Sequence, residues 1–124
     1  MEEVGLLPKD AKERKRIPLA SGVFDYFTSA LIEIAKVSFI GNEQHNKGEK
    51  LHWARGKSMD HSDTMLRHFV ERGTVDTDGV RHSAKMCWRA LAILEEEGRR
   101  QARSSYERRA HRICRGPAYQ RPSS

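Results

Sequence analysis

The sequence predicts an all-α fold, a compact bundle of three to four helices that we expect to be completed by oligomerisation. Apolar residues recur at spacings of three and four in three separate segments, and no segment shows the alternation of a strand. The chain has 124 residues, of which 37% are hydrophobic and 32% charged. A single domain of this size buries only about two-thirds of its unfolded surface, so a second copy would enlarge a modest core.

The first predicted helix is the segment VFDYFTSALIEIAKVSFI, residues 23–40. Leu31, Ile34 and Ala35 share one face, and the segment is apolar on almost every side, which is typical of a central helix. Gly41 and Asn42 are expected to end it. Residues 1–16 are charged and lack an apolar period, so they are predicted to be a flexible lead-in to a domain of residues 17–97.

Two further helices follow a long polar loop, predicted at residues 42–57. Ser58 is a suitable N-cap for the second helix, MDHSDTMLRHFVERG, which ends at Gly73. After a turn that Asp78-Gly79 indicates, the third helix begins at Arg81 or His82. Gly98 is expected to interrupt it, and residues 99–115 then form a charged helical continuation.

The net charge of +6 is concentrated at the C-terminal end. Residues 98–124 hold eight of the 23 Lys and Arg residues and one of the 17 acidic ones, so the rest of the chain is close to neutral. We predict a basic, partly disordered extension there, which is either solvated or a contact for nucleic acid. The chain opens without a signal-peptide pattern, has no membrane-spanning segment and holds two cysteines without metal-binding spacing, so a cytoplasmic location is expected.

Titratable residues are concentrated between Gly41 and Phe69, which hold four of the six histidines. Asp60 and Asp63 are three apart on a helix and, with Glu33, could hold Mg²⁺. Each carboxylate also has an ordinary interpretation. Glu33 and Lys36 could form an exposed stripe on the solvent-facing side of the helix, and acidic residues suit a helix N-terminus. The spacing of the histidines does not favour a zinc site.

Cations and a tryptophan suggest a phosphate-handling site that these carboxylates complete. Trp53 either stacks on a base or pins the loop to the core. Lys85 lies in the first turns of a helix, where it could meet a phosphate or pair with Asp76 and Asp78. The predicted nucleotide-binding residues are His45, Trp53, Arg55, Lys57, Arg67, Arg81 and Lys85, and His68 and His82 are the predicted proton-transfer residues.

Three stretches carry a resemblance to a known family: RIPLASGVFDYFTSALIEIAKVSFIGNEQHN, LHWARGKSMDHSDTMLRHF and VDTDGVRHSAKMCWRALAIL. Over about residues 15–95 the chain resembles the phage-associated dATP/dGTP diphosphohydrolase N-terminal domain family. The residues that match its pattern are Glu33, Gly41, Trp53, Arg67, His68, Asp76, Gly79, His82 and Trp88. The resemblance implies hydrolysis of a purine deoxynucleoside triphosphate to the monophosphate and pyrophosphate, with the chain phage-encoded and located in the host cytoplasm.

The chain is also distantly similar to all-α, MazG-like pyrophosphatases, which hold magnesium with paired carboxylates on two helices. It differs from them in that Lys36 stands where a second acid of the first helix would be. The sequence therefore leaves two hypotheses, a Mg²⁺-dependent purine nucleotide pyrophosphohydrolase and a non-catalytic protein that sequesters a nucleotide or a nucleotide-derived signal. A third, nucleic-acid binding, depends on the basic extension.

Overall fold

A computed structural model describes residues 6–54 and 58–115, with the side chains of 100–107 and 109–115 left out of the description. All regular structure in this part of the chain is helical, which confirms the predicted fold class. The elements are α1 (Ala11–Lys15), a π-helix (Ala20–Phe24), α2 (Thr28–His45), α3 (His61–Val70) and α4 (His82–Arg115). An isolated antiparallel bridge joins Val75 to Arg81 between α3 and α4.

Helix α2 begins later and ends later than the sequence predicts. Gly41 and Asn42 do not end it, because the buried Asn42 side chain hydrogen-bonds to backbone groups of the following loop. Its amide Nδ2 donates to the carbonyl of Glu49 (3.1 Å), and its Oδ1 accepts from the backbone N–H of His52 (3.3 Å). These bonds satisfy loop groups from within the helix, so the helix continues to His45.

Other predicted boundaries also move. Residues 1–16 are not wholly irregular, since Asp10 caps the short helix α1 by accepting from the Glu13 N–H (3.1 Å). The N-cap of α3 is Asp60 rather than Ser58, whose hydroxyl donates to Asp60 Oδ1 (2.8 Å). Gly98 does not interrupt α4, because one exposed glycine costs a helix only about 1 kcal/mol and good helix formers flank it. Residues 116–124, predicted to be disordered, lie outside the described residues.

Helix α4 is the centre of the bundle, and both α3 and α2 pack against its first half. Val80, Ala84 and Ala92 are the buried hydrophobic residues of the described chain. Trp88 joins α4 to α2, since its indole Nε1 donates to Ser38 Oγ (2.9 Å). None of the described helices is both long enough and apolar enough to cross a membrane.

Val80→Ala tests how much stability this small core supplies. Val80 is 4% exposed, and removing two buried carbons should lower the free energy of unfolding by about 1–2 kcal/mol. Val70→Ala is the matched control, because Val70 is 77% exposed and should change stability by less than about 0.5 kcal/mol. Urea denaturation followed by circular dichroism measures both. Equal losses at the two positions would contradict this account of the core.

Candidate metal centre

His68, Asp76 and His82 converge between the ends of α3 and α4. Each offers one ligand atom, and these atoms all lie within 4.8 Å of one another. The Nδ1 atoms of the two histidines are 2.9 Å apart, and Asp76 Oδ2 is 4.0 Å from His82 Nδ1. His82 is buried, while His68 and Asp76 are half-buried. This is the group of described residues whose donor atoms are arranged to hold a metal ion.

The turn between α3 and α4 brings these three residues together. The Asp76 N–H donates to the Val80 carbonyl (2.9 Å), and Gly79 supplies the positive φ of +83° that this tight turn needs. The His82 N–H donates to the Thr74 carbonyl (3.2 Å), which sets the first residue of α4 against the end of α3. The turn that Asp78 and Gly79 predict is therefore confirmed, and it builds the site.

The histidine pair has a geometry that suits a metal ligand set. The two Nδ1 atoms are 2.9 Å apart, so both could contact one ion. Two histidines with one carboxylate form a recurrent ligand set for divalent transition metals. Without an ion, one Nδ1 must carry a proton and donate to the other, so the same space accepts either a proton or a metal.

Glu71 completes the surroundings of His82 and was not predicted from the sequence. Its Oε2 lies 3.4 Å from Nε2 of His82, the ring nitrogen that faces away from His68. The contact is an ion-pair approach, like that of Glu96 to His61, and a carboxylate on this side of the ring favours the tautomer with the proton on Nε2, which leaves the Nδ1 lone pair for a metal. The signal that could have revealed Glu71, the C-cap of α3, is its spacing of three residues from His68, which places both on one side of the helix end.

Lys85 neutralises the acidic side of the cluster. Its Nζ lies 2.7 Å from Asp76 Oδ2 and 2.6 Å from Asp78 Oδ2, which is the salt bridge that the sequence left open as an alternative to phosphate binding. The hydrogen bonds from Lys85 and from the Thr77 N–H lower the pKa of Asp76 to about 2. Burial acts to raise the pKa of Asp78, but the bonds from Lys85 and the Val80 N–H outweigh it, so that pKa is also lowered.

Carboxylates outnumber the ammonium group in direct contact with the cluster. Glu71, Asp76 and Asp78 lie against it with one direct cation, Lys85, while the Arg89 guanidinium also acts on His68. Burial, followed by the proximity of His82 and Lys85, lowers the pKa of His68 below its usual 6.5. A histidine with a lowered pKa is neutral at pH 7, which is the form that binds metals.

The predicted metal ligands are elsewhere and do not share a site. Glu33 Oε1 pairs with Lys36 Nζ at 2.7 Å on the exposed side of α2. Asp60 accepts from Ser58 and Thr64, and these hydrogen bonds lower its pKa. Asp63 is exposed in the first turn of α3. The convergent group of the described residues does not include any of the three, so each fits the ordinary interpretation given above.

The predicted nucleotide-binding residues lie on several elements. Trp53 packs edge-to-face on Trp88 (ring centroids 5.2 Å apart), which supports its loop-pinning role. Arg67 pairs with Asp60 at 3.5 Å, and His45 is exposed at the end of α2. Arg81 is exposed next to His82. Arg55 and Lys57 lie outside the described residues.

A second polar group is buried beside the two tryptophans and has a structural role. His61 is 6% exposed, and its Nδ1 accepts from Arg89 Nη1 at 2.9 Å. Its Nε2 lies 3.4 Å from Glu96 Oε1. The contact does not have hydrogen-bond geometry, so it is an electrostatic contact. The arrangement joins α3 to α4, and its ring contacts are with Trp53 and Trp88.

Comparisons with protein-family models, with curated proteins and with solved structures found no match to this chain.

Acid should weaken the native state through Asp76. Its pKa is about 2 in the folded chain, below the usual 3.8 of an aspartate, so the folded state favours the ionised form. The resulting stabilisation is complete above the higher value and is lost as the pH falls from 3.8 towards 2. Urea unfolding of the wild type from about pH 5 to about pH 2, a range that spans both pKa values, measures the loss of unfolding free energy. In Asp76→Asn this part of the pH dependence should disappear, and an unchanged profile would contradict the assignment.

Lys85→Met should destabilise the chain and make its stability depend on metal. Two partly buried carboxylates would lose their shared cation, at a cost of about 1–3 kcal/mol in the free energy of unfolding. Added Zn²⁺ or Mn²⁺ should recover part of that loss, because the cation replaces the missing charge. Lys50→Met, at an exposed lysine, is the control and should respond to neither change. Thermal melts with and without metal test this, and a variant as stable as wild type would refute it.

Proposed function

We propose that this chain is a metal-dependent hydrolase that cleaves purine deoxynucleoside triphosphates to monophosphate and pyrophosphate. The observation that carries the proposal is the convergence of the donor atoms of His68, Asp76 and His82. Phosphoanhydride hydrolysis needs a metal to neutralise phosphate charge and to activate water, and this group is suited to hold one. The proposal for the substrate depends on the sequence resemblance, while the proposal for the metal depends on the geometry.

The donor set changes the metal that we propose. Magnesium was expected from Glu33, Asp60 and Asp63, which are all oxygen donors. Two imidazoles with one carboxylate instead favour a divalent transition metal such as Mn²⁺, Fe²⁺, Co²⁺ or Zn²⁺. A metal bound there would lower the pKa of a coordinated water to about 7 and polarise a phosphoryl oxygen.

The residues around the cluster have distinct parts in this proposal. Glu71 holds His82 in the tautomer that presents Nδ1, and Lys85 keeps Asp76 ionised. Arg81 is exposed and adjacent to His82, so we assign it to the substrate phosphates in place of Lys85, whose charge Asp76 and Asp78 already match. His68 and His82 then act as ligands, which replaces the proton-transfer role predicted for them.

One observation favours the alternative of a binding protein without turnover. The cluster is already closed without a metal, since the two Nδ1 atoms are within hydrogen-bond distance and Lys85 contacts the Asp76 oxygen. A metal must displace both contacts, which lowers its affinity. The polar atoms of the cluster are already paired with each other. This is compatible with a chain that binds an intact nucleotide or nucleotide-derived signal and does not hydrolyse it.

Hydrolysis should depend on a transition metal and on Asp76. Purified protein is stripped with a chelator, supplied with Mn²⁺, Co²⁺, Zn²⁺ or Mg²⁺, and incubated with dATP or dGTP. We expect pyrophosphate and monophosphate with a transition metal. Asp76→Asn should abolish the reaction, and Glu71→Gln should slow it by about 10–100-fold because a residue that orients a ligand is lost.

Asp63→Asn and Glu33→Gln are the matched controls, since they neutralise carboxylates that lie outside the cluster. Both should retain the wild-type rate. Loss of activity in these two with retention in Asp76→Asn would restore the carboxylate site predicted from the sequence. Intact nucleotide retained on the protein, with every metal, would instead support the sequestering alternative.

A further inference from the structure

Helix α2 carries an apolar stripe that nothing covers in the described part of the chain. Ile32, Ala35 and Phe39 recur at spacings of three and four, so they share one face. Ile32 is 55% exposed and Phe39 is 61% exposed, while the opposite face of the helix, with Leu31, Ser38 and Asn42, packs inward. A large apolar surface on one side of a well-formed helix indicates an interface.

We propose that a second copy of this chain covers the stripe, with the two α2 helices packed antiparallel about a twofold axis near Ala35. In that register Ile32 of one copy lies opposite Phe39 of the other, so each large side chain meets an apolar partner. Ala35 is exposed, and its small side chain would allow the helix backbones to approach closely at the axis. An isologous contact of this kind uses the same patch twice and therefore closes at two copies.

The charges that border the stripe permit such a contact. Lys36 is the cation nearest the axis, and it is already paired with Glu33 of its own helix (2.7 Å). The pair has no net charge, so two copies can approach without repulsion between unmatched lysines. Phe24 and Phe27, which precede α2, are also 60% and 56% exposed.

A second copy is a better occupant than a different protein because the stripe is complementary to itself. The small Ala35 lies between the larger Ile32 and Phe39. When a second copy packs in the opposite direction, its large side chains lie opposite the large side chains of the first. The small core argues the same way, since three buried hydrophobic residues in the described chain are few for a domain of this length. This proposal is independent of the metal cluster and of the proposed reaction.

Light scattering coupled to gel filtration of the full chain tests the interface. Wild type should have twice the chain mass of 14.3 kDa. Phe39→Glu should halve the mass, because it would bury two carboxylates facing apolar partners. Leu94→Glu is the matched control, since Leu94 is 65% exposed on α4 and should leave the mass unchanged. Circular dichroism confirms that the variants are helical.

Cross-linking gives a second test that does not depend on disrupting the dimer. Two cysteines at the axis should form a disulfide, because their Cβ atoms would come within about 4.5 Å. Oxidised Ala35→Cys should therefore run as a covalent dimer, whereas the unmodified chain, which holds Cys87 and Cys114, should not. A monomeric wild type would overturn the proposal. So would a dimer that survives Phe39→Glu, or one that Leu94→Glu also dissociates.

Discussion

The bridge that Lys85 makes between Asp76 and Asp78 is the interaction on which the described structure depends most. It holds the turn against the first turns of α4, with both Nζ–Oδ2 distances below 2.8 Å. That position fixes where His82 begins the helix and how close it comes to His68 on α3. Without the ammonium group, the two carboxylates would repel each other and the turn would be less stable.

The same bridge explains why the candidate metal centre is stable without an ion. Lys85 supplies one positive charge to a group with three negative ones, and a proton between the two Nδ1 atoms satisfies the histidines. The donor atoms are therefore brought together without an ion. Any metal bound there would have to compete with the histidine proton and with Lys85.

The rest of the fold is held by a few polar contacts around a small core. Trp88 donates to Ser38 and packs against Trp53, and Arg89 donates to the buried His61. These contacts position α2, α3 and the polar loop around α4, while much of the apolar surface of α2 stays uncovered. A single chain thus builds its candidate centre at one junction, and it leaves the apolar face of α2 available for association.

The sequence by itself determined the helical class, the three main helices and the turn at Asp78 and Gly79, because apolar spacing and turn chemistry are local properties. It also placed His68, Asp76 and His82 among the residues of interest.

Only the tertiary structure decided which of the candidate residues come together. Glu33, Asp60 and Asp63 had equally suitable chemistry, but each is satisfied by a neighbour or by solvent. Helix α2 continues through Gly41 and helix α4 through Gly98 because of longer-range contacts or flanking residues. The helix propensity of one glycine, a cost of about 1 kcal/mol, is easily outweighed by these.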